Sequence, residues 1–210
     1  MRRKRITVTA TILLVVFLAS CTKDIQQQLE LLFPGFQQPG NFPSPVYRLA
    51  DNEVTKDGFE LGRKLFYEPR LSRNNTVSCG SCHIQSSAFT HHGHDVSHGI
   101  DDRLGKRNSP PIMNLAWSPT YMWDGGIFDL DLQPIAPITA HEEMDETLEN
   151  ILVKLRQHKD YPGLFNKAFG SSEITSVHFL KALSQFMVMC VSSNSKYDSV
   201  MSNYVAKFTS

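Results

Sequence analysis

The segment Cys79-Gly80-Ser81-Cys82-His83 decides how the rest of this 210-residue chain reads. Two thiols three positions apart, with an imidazole directly after the second, form the C-x-x-C-H pattern of covalent haem attachment. The spacing has a chemical cause. Two thioether bonds capture the two vinyl groups of a porphyrin, and the adjoining His83 then reaches the iron as proximal ligand. A redox dithiol of this spacing would sit in a βαβ pattern, which does not surround it. A zinc site of this kind would pair it with a second C-x-x-C, and the sequence has one. The expectation is one covalent haem c on Cys79 and Cys82, with His83 on the iron.

Working outward, the segment from Arg70 to about Tyr121 is polar and rich in His, Ser, Asn and Gly. A stretch that long without its own periodicity needs something to organise it, and a large prosthetic group would do so. Helical patterns flank it. On the N-terminal side, Val54 to Tyr67 places Leu61 and Leu65 four apart, as are Gly58 and Gly62, and Pro69 stops the run. On the C-terminal side, Leu148, Ile151, Leu152 and Leu155 follow helical spacing, with Asp145 as the predicted N-cap. A short helix is predicted near 161–169, with Pro162 at its start and Gly170 past its end. A longer one near 175–192 carries Phe179, Leu183, Phe186 and Cys190 on one face. No alternating strand pattern stands out. The predicted fold is all-α and loop-rich, a cytochrome c-like haem domain.

The N-terminus reads as a processing signal. Arg2, Arg3, Lys4 and Arg5 precede an apolar run from Ile12 to Ala19, the order of a secretory signal peptide. The run is too short for a comfortable transmembrane helix. Leu18-Ala19-Ser20-Cys21 resembles a bacterial lipobox, which predicts a signal at 1–20 and lipidation of Cys21. Residues 21–52, rich in Gln, Pro and Gly, read as a tether from a membrane to a haem domain at 53–210. Export to the periplasm agrees with covalent haem, which is attached outside the cytoplasm.

The whole chain balances 21 basic against 21 acidic residues, and loss of the four early basic residues would leave it four charges negative. Nothing here favours nucleic acid. Of the four cysteines, Cys190 falls in an apolar helical pattern and reads as a small buried hydrophobe. The histidines His91, His92, His94 and His98 crowd one loop, read as a solvated segment rather than a second metal site.

Further motifs flank the attachment segment. Leu61-Gly62-Arg63-Lys64-Leu65-Phe66-Tyr67-Glu68-Pro69-Arg70-Leu71-Ser72 precedes it, and Ala88-Phe89-Thr90, Arg107-Asn108-Ser109-Pro110-Pro111 and Trp123-Asp124-Gly125 follow. Gln133-Pro134-Ile135-Ala136-Pro137-Ile138 and Glu143-Met144 come next. In order and spacing this resembles the N-terminal, peroxide-reacting domain of bacterial di-haem cytochrome c peroxidases, including the relatives used in methylamine utilisation.

The resemblance implies roles. His83 matches the proximal ligand and Trp123 an electron-relay tryptophan between two haems. Gln133 and Glu143 match the distal polar pair, with the glutamate as acid–base group. Asn108 matches a residue that helps bind calcium. The implied reaction is reduction of hydrogen peroxide to water, with electrons from a cytochrome c or cupredoxin. The alternative is a mono-haem electron carrier or sensor. Three departures stand out. The histidine that caps the resting haem in many relatives falls at Ile100, with His98 two positions away; His91, His92, His94 and His98 and the methionines are the candidates for the sixth position, which is otherwise open. Gly126 stands where the family usually has Arg. The sequence has one C-x-x-C-H where relatives have two, so the expectation is either a fragment or interrupted gene product, or a second haem supplied by a partner domain or a homodimer.

Overall fold

The structure is a computed structural model that describes residues 33–202. Residues 1–32 and 203–210, including the signal segment and Cys21, lie outside the described residues. No strand occurs among the described residues. Three isolated antiparallel bridges, Ile84 to Thr90, His98 to Leu104 and Tyr121 to Ile127, close tight loops instead.

Helix α1 spans Lys56–Phe66, starting two residues inside the predicted Val54, because the Thr55 hydroxyl caps it by accepting the Gly58 N–H. The helix α2 is one turn, Cys79–Cys82, with reciprocal Ser78 and Ser81 side-chain bonds at its start. Helix α3 is Ile135–Thr139, α4 is Leu148–Gln157, α5 is Tyr161–Phe169, α6 is Ser176–Val188 and α7 is Lys196–Met201. Gly170 ends α5 with φ +72°, the left-handed C-cap that glycine adopts readily.

The core is the face of α1 that packs on α6 and α5. Leu61, Leu65 and Phe66 of α1 meet Phe179, Leu183 and Phe186 of α6, and all six are buried. Phe66 also stands edge-on to Phe89, with ring centres 6.2 Å apart, and 6.3 Å from the His83 ring. The aromatic core therefore runs directly into the attachment segment.

Two predicted boundaries shift. The N-cap of α4 is Thr147, whose hydroxyl accepts the Asn150 N–H, and not Asp145. Asp145 turns its carboxylate to Arg103 at 2.9 Å and Arg73 at 3.1 Å, so a long-range ion cluster displaces the local cap. Nor is the stretch read as a tether loose to residue 52. The packed body begins at Phe36. Phe36 and Phe42 lie against Trp117, whose indole N–H donates to the Pro43 carbonyl at 2.8 Å. The backbone N–H groups of Val46 and Tyr47 both donate to Ala116.

A buried polar knot fixes the turn after α1. Tyr161 donates to Glu68 at 2.6 Å, and Arg70 places one guanidinium nitrogen 2.9 Å from each Glu68 oxygen. Burial pushes the Glu68 carboxyl up, but the Tyr161 hydroxyl, the Arg70 N–H and the Arg70 charge outweigh it and hold it below the usual range. A depressed folded value means stability that is present above the unfolded glutamate pKa of about 4.3 and lost as pH falls through the folded value. Glu68→Gln should flatten acid unfolding in that window. Glu68→Ala should cost about 2 kcal/mol by leaving the buried Tyr161 hydroxyl unpaired. Urea titrations at pH 7 and pH 4 check both.

Candidate functional site

Cys79, Cys82 and His83 line a cavity of about 310 Å³. Trp123, Gln133 and Glu143 line the same cavity, from loops 40 to 60 positions downstream. Phe66, Leu183 and Met187 give it an apolar wall. The sequence-predicted residues are thus brought together by packing of the long loop onto the α1–α6 pair.

The attachment end is shaped for a porphyrin. Cys79 and Cys82 are free thiols, not a disulfide. Burial pushes the Cys79 thiol up to about 12, with the charges of Cys82 and Glu143 adding to the effect. His83 Nδ1 lies 3.0 Å from the Phe89 carbonyl. A carbonyl only accepts, so Nδ1 carries the proton and Nε2 is the nitrogen a metal would take; the Pro110 carbonyl is a second backbone acceptor beside the ring. Burial pushes the His83 imidazolium pKa down, which favours the neutral, ligating form. Ala88 and Phe89, at φ +55° and +56°, make the tight turn that returns the Phe89 carbonyl to the imidazole. Two thiols, a neutral oriented imidazole and an apolar wall fit haem c.

The opposite end is built on the turn after α3. Glu143 N–H donates to Ala140, and the Glu143 carbonyl accepts the Ile100 N–H at 2.8 Å. Gly99 permits that second bond. A Cβ there would lie 2.1 Å from the Glu142 carbonyl oxygen and 2.6 Å from the Glu143 Cα. Behind the turn, Asp145 is held by Arg73, Arg103 and His141, and the buried Glu146 by Lys154 at 2.6 Å. The Glu143 backbone is therefore fixed on both sides. Burial pushes its carboxyl up, and the neighbouring Glu142 charge adds to this. Such a group holds its proton to higher pH than an ordinary glutamic acid, as suits acid–base work near neutrality.

Trp123 is at the cavity edge with 61% of its surface exposed, and its indole donates to the Asn108 carbonyl at 2.7 Å. Asn108 Oδ1 is buried without a hydrogen-bond partner. A hard oxygen so placed suits calcium, although among the described residues no three His, Cys, Asp or Glu side chains assemble a metal site. Gly126, standing where the family usually has an arginine, donates its N–H to Asp124, and Arg107 from another loop pairs with the same carboxylate at 3.0 Å.

His98 is placed differently from its predicted role. Its neighbours Ser97 and Gly99 line the cavity and its own ring does not. The ring packs against His94, with centres 4.6 Å apart, and Nδ1 pairs with Asp102 at 2.6 Å. Ile100 is fully buried. Cys190 is half-buried at the end of α6, its thiol donating to the Phe186 carbonyl, which agrees with a structural role. Sequence reasoning gave no role to Gly99 or Arg107 and named the methionines only collectively, without singling out Met122. A lone glycine or methionine carries no pattern, but Met122 stands directly before Trp123.

The profile of the di-haem cytochrome c peroxidase family matches residues 56–206. Methylamine utilization protein MauG of Methylorubrum extorquens is 35% identical over 188 residues, covering 86% of this chain and 50% of that protein. Cytochrome c551 peroxidase of Nitrosomonas europaea is 34% identical, covering 68% of this chain and 42% of that protein. The crystal structure of a MauG-like protein associated with microbial copper homeostasis superposes with a TM-score of 0.73 at 34% identity, over 83% of this chain and 51% of that one. The chain thus spans about half the length of these relatives. No helix of the described residues is long and apolar enough to cross a membrane. With the profile running from the start of α1 past the end of α7, and the cavity holding the C-x-x-C-H residues beside a half-buried glutamate, the chain belongs to the di-haem cytochrome c peroxidase family.

Proposed function

We propose that the chain carries one covalent haem c on Cys79 and Cys82, with His83 on the iron, and that it reduces hydrogen peroxide. Peroxide takes two electrons and two protons and gives two waters. Bound haem supplies the iron that takes up peroxide and the electrons that break its O–O bond. The chain supplies the proton handling. Glu143 takes a proton from one peroxide oxygen and returns it to the departing one. The Gln133 amide orients the substrate beside it. The observation that carries this reading is a half-buried carboxyl of raised pKa, with its backbone clamped, in the same cavity as the attachment cysteines.

Electrons enter by Trp123, whose exposed ring joins the cavity to the surface. Their source is a small cytochrome c or cupredoxin, relayed by a second haem from a further domain or a second copy of the chain. Asn108 offers one oxygen to a calcium ion beside Trp123. The test is rapid mixing of haem-loaded protein with peroxide in both oxidation states. A fast optical change with consumption of peroxide supports the reading, and inertness in both states rejects it.

The chain is exported to the periplasm and held on a membrane by lipid on Cys21. This rests on the lipobox-like Leu18-Ala19-Ser20-Cys21 alone, which lies outside the described residues. Cys21→Ser should move the protein from the membrane fraction to the soluble one and abolish labelling by a fatty acid. Unchanged fractionation and labelling would refute the anchor.

A further inference from the structure

We propose that Met122 is the sixth ligand of the resting haem iron, through its thioether sulfur, and yields that position to peroxide. The inference rests on the attachment of haem at Cys79 and Cys82 argued above.

Met122 has φ +68°, a left-handed conformation that a long side chain adopts only when its surroundings impose it. The surroundings are a tight loop. Tyr121 N–H donates to the Ile127 carbonyl at 2.8 Å, and Gly125 N–H to the Met122 carbonyl at 3.1 Å. The kink sorts three consecutive side chains. Tyr121 is buried at 6% exposure, Trp123 lines the cavity at its exposed edge, and Met122 lines it beside Gln133. Strain of this kind concentrates where a side chain must be aimed.

The sulfur stands beside Gln133, whose Nε2 donates to it at 3.5 Å. It therefore lies with the polar pair that handles peroxide. Ile100 and His98, the two positions singled out for a capping ligand, do not line the cavity. Ile100 is apolar and buried, and the His98 ring is turned to Asp102 and His94. Met144 and Met187 also line the cavity, at 3% and 4% exposure. Met144, however, belongs to the hydrogen-bonded turn behind Glu143, and Met187 to the regular helix α6. Of the three, only Met122 has a described hydrogen bond at sulfur.

Thioether and imidazole together are a known axial pair for c-type haem, one that raises the reduction potential. A neutral thioether is also a soft, exchangeable ligand. The Gln133 amide gives the sulfur a resting place off the iron, so exchange with peroxide needs only rotation of one unbranched side chain. The same residue would then hold the haem as an electron carrier at rest and open it as a peroxidase.

The experiment uses haem-loaded full-length protein from a host that matures c-type cytochromes, with covalent haem first confirmed by mass. Optical and magnetic circular dichroism spectra of the ferric state should show six-coordinate, low-spin iron with a sulfur-to-iron charge-transfer band. Met122→Leu should lose the band, become high-spin and bind cyanide at least tenfold faster. Met144→Leu and Met187→Leu should keep it. X-ray absorption at the iron edge of the unsubstituted protein decides without any variant. Sulfur in the first shell supports the proposal, and a shell of nitrogen and oxygen alone overturns it. A band that survives Met122→Leu also overturns it. Absence of covalent haem would defeat the attachment reading and this inference with it, whereas haem without sulfur defeats this inference alone.

Discussion

Replacing Glu143 with glutamine slows the reaction of the haem-loaded protein with peroxide by about a hundredfold or more. The substitution keeps shape and removes the titratable proton. The backbone clamp from Ala140 and Ile100 does not involve the carboxyl, so the turn should stay where it is. The loss should therefore fall on the rate, with haem loading and thermal stability close to wild type. The pH profile gives a second readout. As a base the carboxyl works when deprotonated, so the rate should rise with pH through its raised value, and Glu143→Gln should erase that limb. Gly99→Val should give part of the same loss without touching the carboxyl, because the added side chain collides with the Glu142 and Glu143 backbone. A Glu143→Gln protein that reacts as fast as wild type would remove the acid–base role.

Gly62→Val costs about 3 kcal/mol of stability by overpacking the α1–α6 crossing. A Cβ at Gly62 would lie 1.9 Å from the Ala182 carbonyl oxygen and 3.0 Å from the Phe186 Cβ. Both belong to α6 and neither is the free end of a flexible chain, so the helices must separate. Separation would also disturb Phe66, which lines the cavity from the same helix. A control separates this from glycine replacement in general. A Cβ at Gly163, on α5, would meet nothing within 4 Å, so Gly163→Ala should stabilise by about 1 kcal/mol through helix propensity. Urea unfolding of the two variants checks the pair. Equal midpoints would mean the crossing is looser than described.

What could be read from residues alone was what spacing encodes. Leu61 and Leu65, or Phe179, Leu183 and Phe186, announce buried helix faces because the helical period is built into their separation. Cys79, Cys82 and His83 announce their chemistry for the same reason, and the flanking motifs placed Trp123, Gln133 and Glu143 by resemblance. All share one cavity. What spacing does not encode is competition between distant partners. Asp145 is as good an N-cap as Thr147 in isolation, yet Arg73 and Arg103 claim its carboxylate. His98 is two positions from the place of a capping histidine, yet Asp102 and His94 hold its ring out of the cavity. The Pro- and Gly-rich composition before residue 53 hid Phe36 and Phe42, whose partner Trp117 lies some 75 positions later. The Gly99 clasp and the Met122 kink depend on backbone geometry that no pattern of residue types signals.

The most direct measurement is the intact mass of the mature protein made in a host competent for cytochrome c maturation, under denaturing conditions that strip any loosely held pigment. The expected mass is polypeptide plus one haem, with the added mass lost when Cys79 and Cys82 are both replaced by alanine. A mass equal to the bare polypeptide in the unsubstituted protein would contradict covalent attachment and every role built on it.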